Sequence, residues 1–353
     1  MILSTLKIID LSTVLAGPSV GTFFAELGAD VIKIESTQFP DVTRSWKLPS
    51  ESPDAQVSAY FSSVNYSKRY IQLEFNDNDQ FDQLMQLISG ADIVLMNFKK
   101  STETKFGLTP ELLLDHFPRL IIGKITGFGD ENDRVAYDLI LQAETGFMSM
   151  NGTAESGPVK MPVALIDVLA AHHLKEGILV ALLDRIKSNR GKIISVSLYD
   201  AAIVSLANQA SNYLMENKIP SRMGSLHPNI APYGEIFATK DSFQITLAIG
   251  SNTHFQKLCV ILCLPDLVID ERFSTNQQRL KNRQELALVL SEKLMHIEAD
   301  DFLDRCHQAY IPAARIKNLK EVFQDVEAQK LIRQEIISGH ETKRLTSIAF
   351  QWK

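Results

Sequence analysis

The sequence predicts an α/β fold built on a parallel sheet, followed by a second, smaller domain. Three observations carry this. Leu6–Leu11 is a short apolar run, Phe23, Phe24 and Leu27 recur behind it with helical spacing, and Asp30–Glu35 is a second short run. Strand, helix and strand in that order form a βαβ unit, whose strands pair in parallel. Short apolar runs then return at Tyr70–Leu73, Ala91–Met96 and Leu120–Ile125, with a helical face of Phe81, Leu84, Leu87 and Ile88 after the first of them. Between about Ala202 and Tyr233 the pattern loosens, through Asn208, Gln209, Asn212 and Asn217 to Pro220, Gly224 and Pro228. Residues of these types punctuate elements, so the stretch reads as a link into the second domain.

Composition bounds the class. The chain has 353 residues, 45% hydrophobic and 22% charged, with a formal net charge of -6. That length holds one large or two ordinary domains. A general nucleic-acid binder would need a basic excess, so no nucleic-acid partner is expected. Three cysteines, Cys259, Cys263 and Cys306, without a CxxC pair or a nearby His pair, argue against a disulfide scaffold and against a zinc site. Cys259 and Cys263 fall in an apolar helical pattern and are expected in a core. MILSTLKIIDLS reads as a strand rather than a signal segment, and no apolar run reaches about 18 residues. The expectation is a cytoplasmic protein without a membrane partner.

In chain order, Ala16-Gly17-Pro18 reads as a turn with Pro18 suited to a first helical turn, and Gly28 ends the helix. Glu35 closes the second strand, as an acid does in a dinucleotide-binding unit. GxGxxG laid over positions 16–21 matches only Gly21, so nicotinamide binding is not expected. Asn65–Arg69 precedes the third strand. Asn97-Phe98-Lys99 follows the fourth, and Lys105-Phe106-Gly107-Leu108 lies beyond it. Lysines and arginines at strand ends suit phosphate groups, and they equally suit a solvated face. In the second domain Phe243–Ile249 reads as a strand, helical segments run to about Leu294, and Ile311–Arg315 is a last short strand before a short tail.

The rest of the chain is organised around Ala136–Tyr199. Asp167 sits in the run Val163-Ala164-Leu165-Ile166, ahead of a helix on which Ile178, Leu179, Ala181, Leu182 and Leu183 recur. A carboxylate there is expensive to desolvate unless something favours its charge. Asp167 is therefore either a helix cap or a carboxylate nucleophile.

Tyr137-Asp138, Pro162 and Asp167, Leu182–Arg185 and Ser195–Asp200 together resemble the core of the CaiB/BaiF CoA-transferases, the third family of these enzymes, typified by formyl-CoA:oxalate CoA-transferase. The resemblance extends over Leu6–Arg44 and His227–Arg315, including His227-Pro228 with Pro232-Tyr233, Asp270–Phe273 and Ile311-Pro312. It implies a large Rossmann-like CoA-binding domain from residues 1–202 with 321–353, a small α+β domain from 203–320, and an interlocked homodimer. It also implies a coenzyme-binding set of Lys33, Arg44, Lys68, Arg69, Asn97, Phe98, Lys99 and Lys105, with Asp41 beside Arg44. Coenzyme A enters as substrate, and no tightly bound cofactor or metal is expected. Ser36 and Thr37 stand where the family often has a basic residue, and Ile249–Asn252 carries one glycine where the family often has a glycine-rich loop.

By that resemblance Asp167 attacks an acyl-CoA and holds the acyl group as a mixed anhydride until a free carboxylic acid takes over the CoA. Tyr137 places the substrate, donates to the thioester oxygen, or only fills space. Asp138 braces backbone at the same turn. The alternative on the same fold is a 2-methylacyl-CoA racemase. That needs a second base, and a tyrosine of pKa about 10 is a poor one. His172 and His173 follow Asp167 on its helix and read as packing or surface residues. A third possibility is a CoA-binding protein without catalysis.

Overall fold

The structure is a computed structural model and describes residues 3–351. β1 (Lys7–Asp10), α1 (Ala16–Glu26) and β2 (Asp30–Glu35) form the βαβ unit that the apolar spacing predicts. Ala16–Pro18 is already the first turn of α1 rather than a separate turn. Next come α2 (Ala59–Val64), β3 (Arg69–Gln72), α3 (Asn78–Ser89), β4 (Ile93–Met96), α4 (Lys100–Phe106), α5 (Pro110–His116) and β5 (Ile121–Thr126). They are followed by α6 (Asp138–Glu144), α7 (Phe147–Met150), α8 (Leu165–Ser188), β6 (Ile193–Ser197), α9 (Leu198–Val204) and α10 (Ala207–Glu216).

The six strands make one parallel sheet in the order β3-β2-β1-β4-β5-β6. Its centre is buried on both faces, which is why β4 reads as an unbroken apolar run and β1 carries Ile8 and Ile9 side by side. Strand alternation sends Ile8, Val31, Ile93 and Leu95 to one face, where they meet Phe24, Leu174 and Ile178 of α1 and α8. It sends Ile9, Ile32, Val94 and Met96 to the other, against Leu84 and Ile88 of α3 and Leu113 of α5.

The chain divides into two compact units. One comprises residues 1–149, 160–220 and 330–353, the other 150–159 and 221–329. The main stretch of the second unit thus runs over 221–329, rather than the expected 203–320, and residues 150–159 join it. Asn208, Gln209 and Asn212 dilute the apolar pattern without breaking the helix, and α10 ends only where Asn217 turns left-handed at φ 52°. The second unit carries an antiparallel sheet of β7 (Tyr233–Ala238), β8 (Gln244–Ala248) and β9 (Ala313–Arg315). Its helices are α11 (Asn252–Ile261), α12 (Asp266–Ile269), α13 (Asn276–Lys281), α14 (Arg283–Leu294), α15 (Ala299–Gln308), α16 (Leu319–Val322) and α17 (Val326–Gln329). Phe237, Ile245, Phe255, Leu258 and Phe302 centre its core, with Cys259 and Cys306 buried among them. Cys263 is exposed, at φ 56° beyond the end of α11, and not in the core.

The short tail is a hairpin of β10 (Ile332–Ile337) and β11 (His340–Leu345) belonging to the first unit. Ser338 and Gly339 both have positive φ, as a two-residue I′ turn requires. No helix among the described residues is long and apolar enough to cross a membrane.

Candidate active site

In open α/β sheets of this strand order, ligands bind beyond the carboxyl ends of the strands, where the order reverses. Here that point lies between β1 and β4. The loops leaving the two strands are tied together: Asn97 accepts from the Thr13 N–H and donates to the Thr13 carbonyl, both at 3.0 Å. Two clefts open on either side. One, of about 320 Å³, is lined by Thr13, Asn97, Phe98, Lys99, Lys100 and Tyr137 among others. The other, of about 330 Å³, has Phe39, Phe75, Phe98, Lys105 and Phe106 in its walls. Phe98 and Thr13 belong to both, so the clefts adjoin. A cavity of about 450 Å³ near Glu26, Tyr66 and Arg333 is larger but contains none of the strand-end groups. We place the site by chemistry rather than by size.

Topology also explains why Asp167 is here. α8 connects β5 to the parallel strand β6, so it runs back down the sheet and must start at the carboxyl edge. Asp167 lies in its first turn and is 7% exposed. It does not cap the helix: Ala164 is the cap residue, and no side-chain cap bond is made. The amide that a cap would serve, Ile166 N–H, goes to Asp138 Oδ1 at 2.7 Å. Asp138 Oδ2 accepts from Gln142 Nε2 at 2.6 Å. Asp138 therefore braces the turn. Among the described residues no group donates to the Asp167 carboxylate. Burial, and then the neighbouring Asp138 charge, push its carboxyl from 3.8 up to about 7.

Tyr60 is near enough to this carboxylate to feel its charge, and two further aromatic rings adjoin it in turn. Tyr137, the residue before α6, is half exposed and 6.3 Å from Trp46, which meets Tyr60 edge-on at 5.1 Å. The Tyr60 hydroxyl is pushed up to about 12 by burial and then by Asp167, Asp138 and Asp41. It is a neutral donor at any working pH. Trp46 and Tyr60 were not among the residues the sequence singles out. Trp46 follows a 3-10 turn and Tyr60 sits on a helix of six residues, so neither belongs to a periodic pattern long enough to mark it.

The basic residues expected to hold a coenzyme separate into three groups. Lys99 and Lys105 are exposed, Lys99 in the wall of the first cleft with Asn97, Lys105 in the wall of the second, and Phe98 in both. Lys33 and Lys68 are not brought there. Lys33 is fully buried on Asp41 at 3.2 Å and on the Ser12 carbonyl. Lys68 donates to Asp10 at 2.7 Å, to Asn65 and Pro18 at 2.9 Å, and to Val64. Burial alone would raise the Asp10 carboxyl, but Lys68 and Lys33 beside it outweigh that and hold it low. Every donor of Lys68 faces a protein acceptor, and a phosphate would have to displace a buried ion pair. Gly21, the one match to the glycine fingerprint, has its own reason here. A Cβ on it would lie 2.9 Å from Asp10 Oδ2 and 3.2 Å from the Lys68 amine.

Arg69 pairs with Asp30 at the amino edge of the sheet, away from the clefts. Arg44 is held by Glu35 through Nε and Nη2 and lies 3.8 Å over the Phe61 ring. That pairing also consumes the strand-ending acid which a nicotinamide-binding unit would use for ribose. His172 and His173 lie on the outer side of α8, as expected of surface residues.

Comparison with known proteins places this geometry among relatives. The family model CoA-transferase family III matches residues 3–351. A succinate–glutarate CoA-transferase of Agrobacterium fabrum is 37% identical over 333 residues, 93% of this chain and 83% of that protein. The human succinyl-CoA:glutarate CoA-transferase is 32% identical over 324 residues, 91% of this chain and 73% of that one. The crystal structure of a CaiB/BaiF family protein from Brucella suis superposes with a TM-score of 0.83 at 34% identity, covering 98% of this chain and 91% of that one.

Proposed function

The chain belongs to CoA-transferase family III and is a CoA-transferase, and on that premise we propose that it carries the acyl group as a mixed anhydride on Asp167, between short dicarboxylic acids. An Asp167 oxygen attacks the acyl carbonyl of the donor, the C–S bond breaks, and CoA leaves as thiolate. The thiolate attacks the aspartyl carbonyl and releases the donor acid, which leaves an aspartyl-CoA thioester. The acceptor carboxylate attacks that thioester and expels the thiolate, which then takes the acceptor's acyl carbon. Asp167 is regenerated, and the thioester's energy stays in the product.

The observation that carries this reading is a carboxylate 7% exposed, without a hydrogen-bond donor, at the start of the crossover helix. A nucleophile needs free lone pairs and little water around it, and a structural aspartate would be paired. Tyr60, as a neutral donor near Asp167, suits the oxyanion that forms when the thioester is attacked. Lys99 and Lys105 in the cleft walls suit the phosphates of CoA. The relatives named for succinate and glutarate support the dicarboxylate class. A panel of acyl-CoA donors against free mono- and dicarboxylic acids, read by exchange of CoA, tests it. Exchange confined to monocarboxylates overturns the substrate class.

Racemisation is disfavoured by the same geometry. It needs two bases flanking one carbon. Tyr60 is pushed away from basicity, and both Asp138 oxygens are engaged. No α-deuterium is expected in a 2-methylacyl-CoA incubated with the enzyme in heavy water. We also infer a homodimer, supported by apolar side chains exposed along α8 and around α10, among them Leu183 and Ile186, Leu214 and Met215. A dilution-dependent monomer in light scattering would contradict it.

A further inference from the structure

Gln142 is fully buried on α6, and both ends of its amide are used. Its Nε2 donates to Asp138 Oδ2 at 2.6 Å, and its Oε1 accepts from the Met161 N–H at 2.8 Å. The other Asp138 oxygen accepts from Ile166 N–H at 2.7 Å. One side chain thus ties the start of α6, the approach to α8 and, through Asp138, the first turn of α8. The position needs a donor and an acceptor together, which an amide supplies. Methionine of similar length would make neither of these two bonds.

The turn holds two neighbouring carboxylates, Asp138 and Asp167, both 8% exposed or less. They differ in their partners. We propose that Gln142 is a positioning residue that designates Asp167 rather than Asp138 as the nucleophile, by occupying the second Asp138 oxygen and holding the first on Ile166. Asp138 is left with a donor on each oxygen, and only Asp167 keeps its oxygens for an acyl carbon. This rests on the mixed-anhydride reading and adds the reason one carboxylate of the pair reacts.

Burial raises the Asp167 carboxyl first, and among the charges around it Asp138 is the one that adds to that. Tyr60 of α2 is neutral. On the elements packed against α8, Lys124 of β5 is committed to Glu103 and Asp130, Glu144 of α6 to Arg134, and Glu26 of α1 to Arg344. Asp200 and Tyr199 lie on α9, and β6 carries no titratable side chain. With its Gln142 donor removed, Asp138 has an oxygen free to reach an acyl carbon; with the Asp138 charge itself removed, Asp167 loses that repulsion and ionises at lower pH.

The test measures kcat/KM against pH for the wild type, Gln142→Met and Asp138→Asn. The wild type should lose activity below about pH 7. In Asp138→Asn this acid limb should move down by about one pH unit, about tenfold more of the plateau rate at pH 5.5, because the repelling charge is gone. Hydroxylamine trapping in Gln142→Met should place part of the hydroxamate on Asp138. Label on Asp167 alone in Gln142→Met overturns the proposal. Should Gln142→Met fail to fold, Gln142→Asn, too short to span both partners, carries the same expectation. The pH dependence of unfolding free energy, each background against its Asp167→Asn derivative, reads the same ionisation without turnover. A shift there in Asp138→Asn, in a protein that exchanges no CoA, keeps the coupling of the two carboxylates and removes the transferase mechanism; no shift there removes the coupling.

Discussion

Replacing Asp167 by asparagine should make the protein more stable, and by an amount that depends on pH. The folded protein holds the Asp167 proton up to about pH 7, whereas an unfolded aspartate releases it near 3.8. Folding therefore favours the protonated form. Above about pH 7 both states are ionised and the folded state bears the full cost of a buried charge. Between 7 and 3.8 that cost fades, and below 3.8 both states are protonated and none remains. At about 1.4 kcal/mol per pH unit, the gap between 3.8 and about 7 corresponds to about 4 kcal/mol. Asparagine keeps the shape without the charge. Urea unfolding at pH 8 should show Asp167→Asn more stable by about 4 kcal/mol, and the two proteins should converge near pH 4. Equal stability at pH 8, or a gain that is the same at pH 8 and pH 4, would refute the reasoning. A side chain retained at that cost is one kept for chemistry.

Three further outcomes follow from the placement of the charged residues. Lys68→Ala should destabilise the fold by about 3–5 kcal/mol in urea unfolding, because it strands Asp10 as a buried unpaired charge. Lys105→Ala should leave unfolding unchanged and raise the KM for the CoA ester about tenfold, and the reverse pattern would return Lys68 to the binding site. Gly21→Ala should cost about 1–3 kcal/mol by pressing a methyl group into the Asp10–Lys68 pair, visible as a lower urea midpoint at unchanged slope.

Much of the large unit was legible because parallel strands buried on both faces put apolar residues at consecutive positions, so β1, β2, β4 and β5 stand out as runs. Asp167 was legible for the converse reason, as a lone acid inside an apolar run ahead of a long helical face. The buried lysines were not. The partner of Lys68 is 58 residues away at Asp10, and nothing local distinguishes a lysine facing a buried acid from one facing a phosphate. The hairpin of β10 and β11 runs IRQEII and HETKRL, mostly polar and without apolar alternation, which hid it in the tail, although Ser338-Gly339 was a turn signal. The aromatic wall of Trp46 and Tyr60 comes from short segments that the fold, not periodicity, brings to Asp167.

The covalent role of Asp167 is open to direct trapping. Enzyme incubated with an acyl-CoA donor and hydroxylamine should acquire a hydroxamate on one side chain, since hydroxylamine attacks the aspartyl carbonyl of the mixed anhydride and releases the acyl group as free acid. Peptide mass spectrometry of the wild-type protein should locate that hydroxamate on Asp167, dependent on the donor and absent from Asp167→Asn. CoA exchange that proceeds at the wild-type rate in Asp167→Asn, or a label that maps to another residue, would contradict the account.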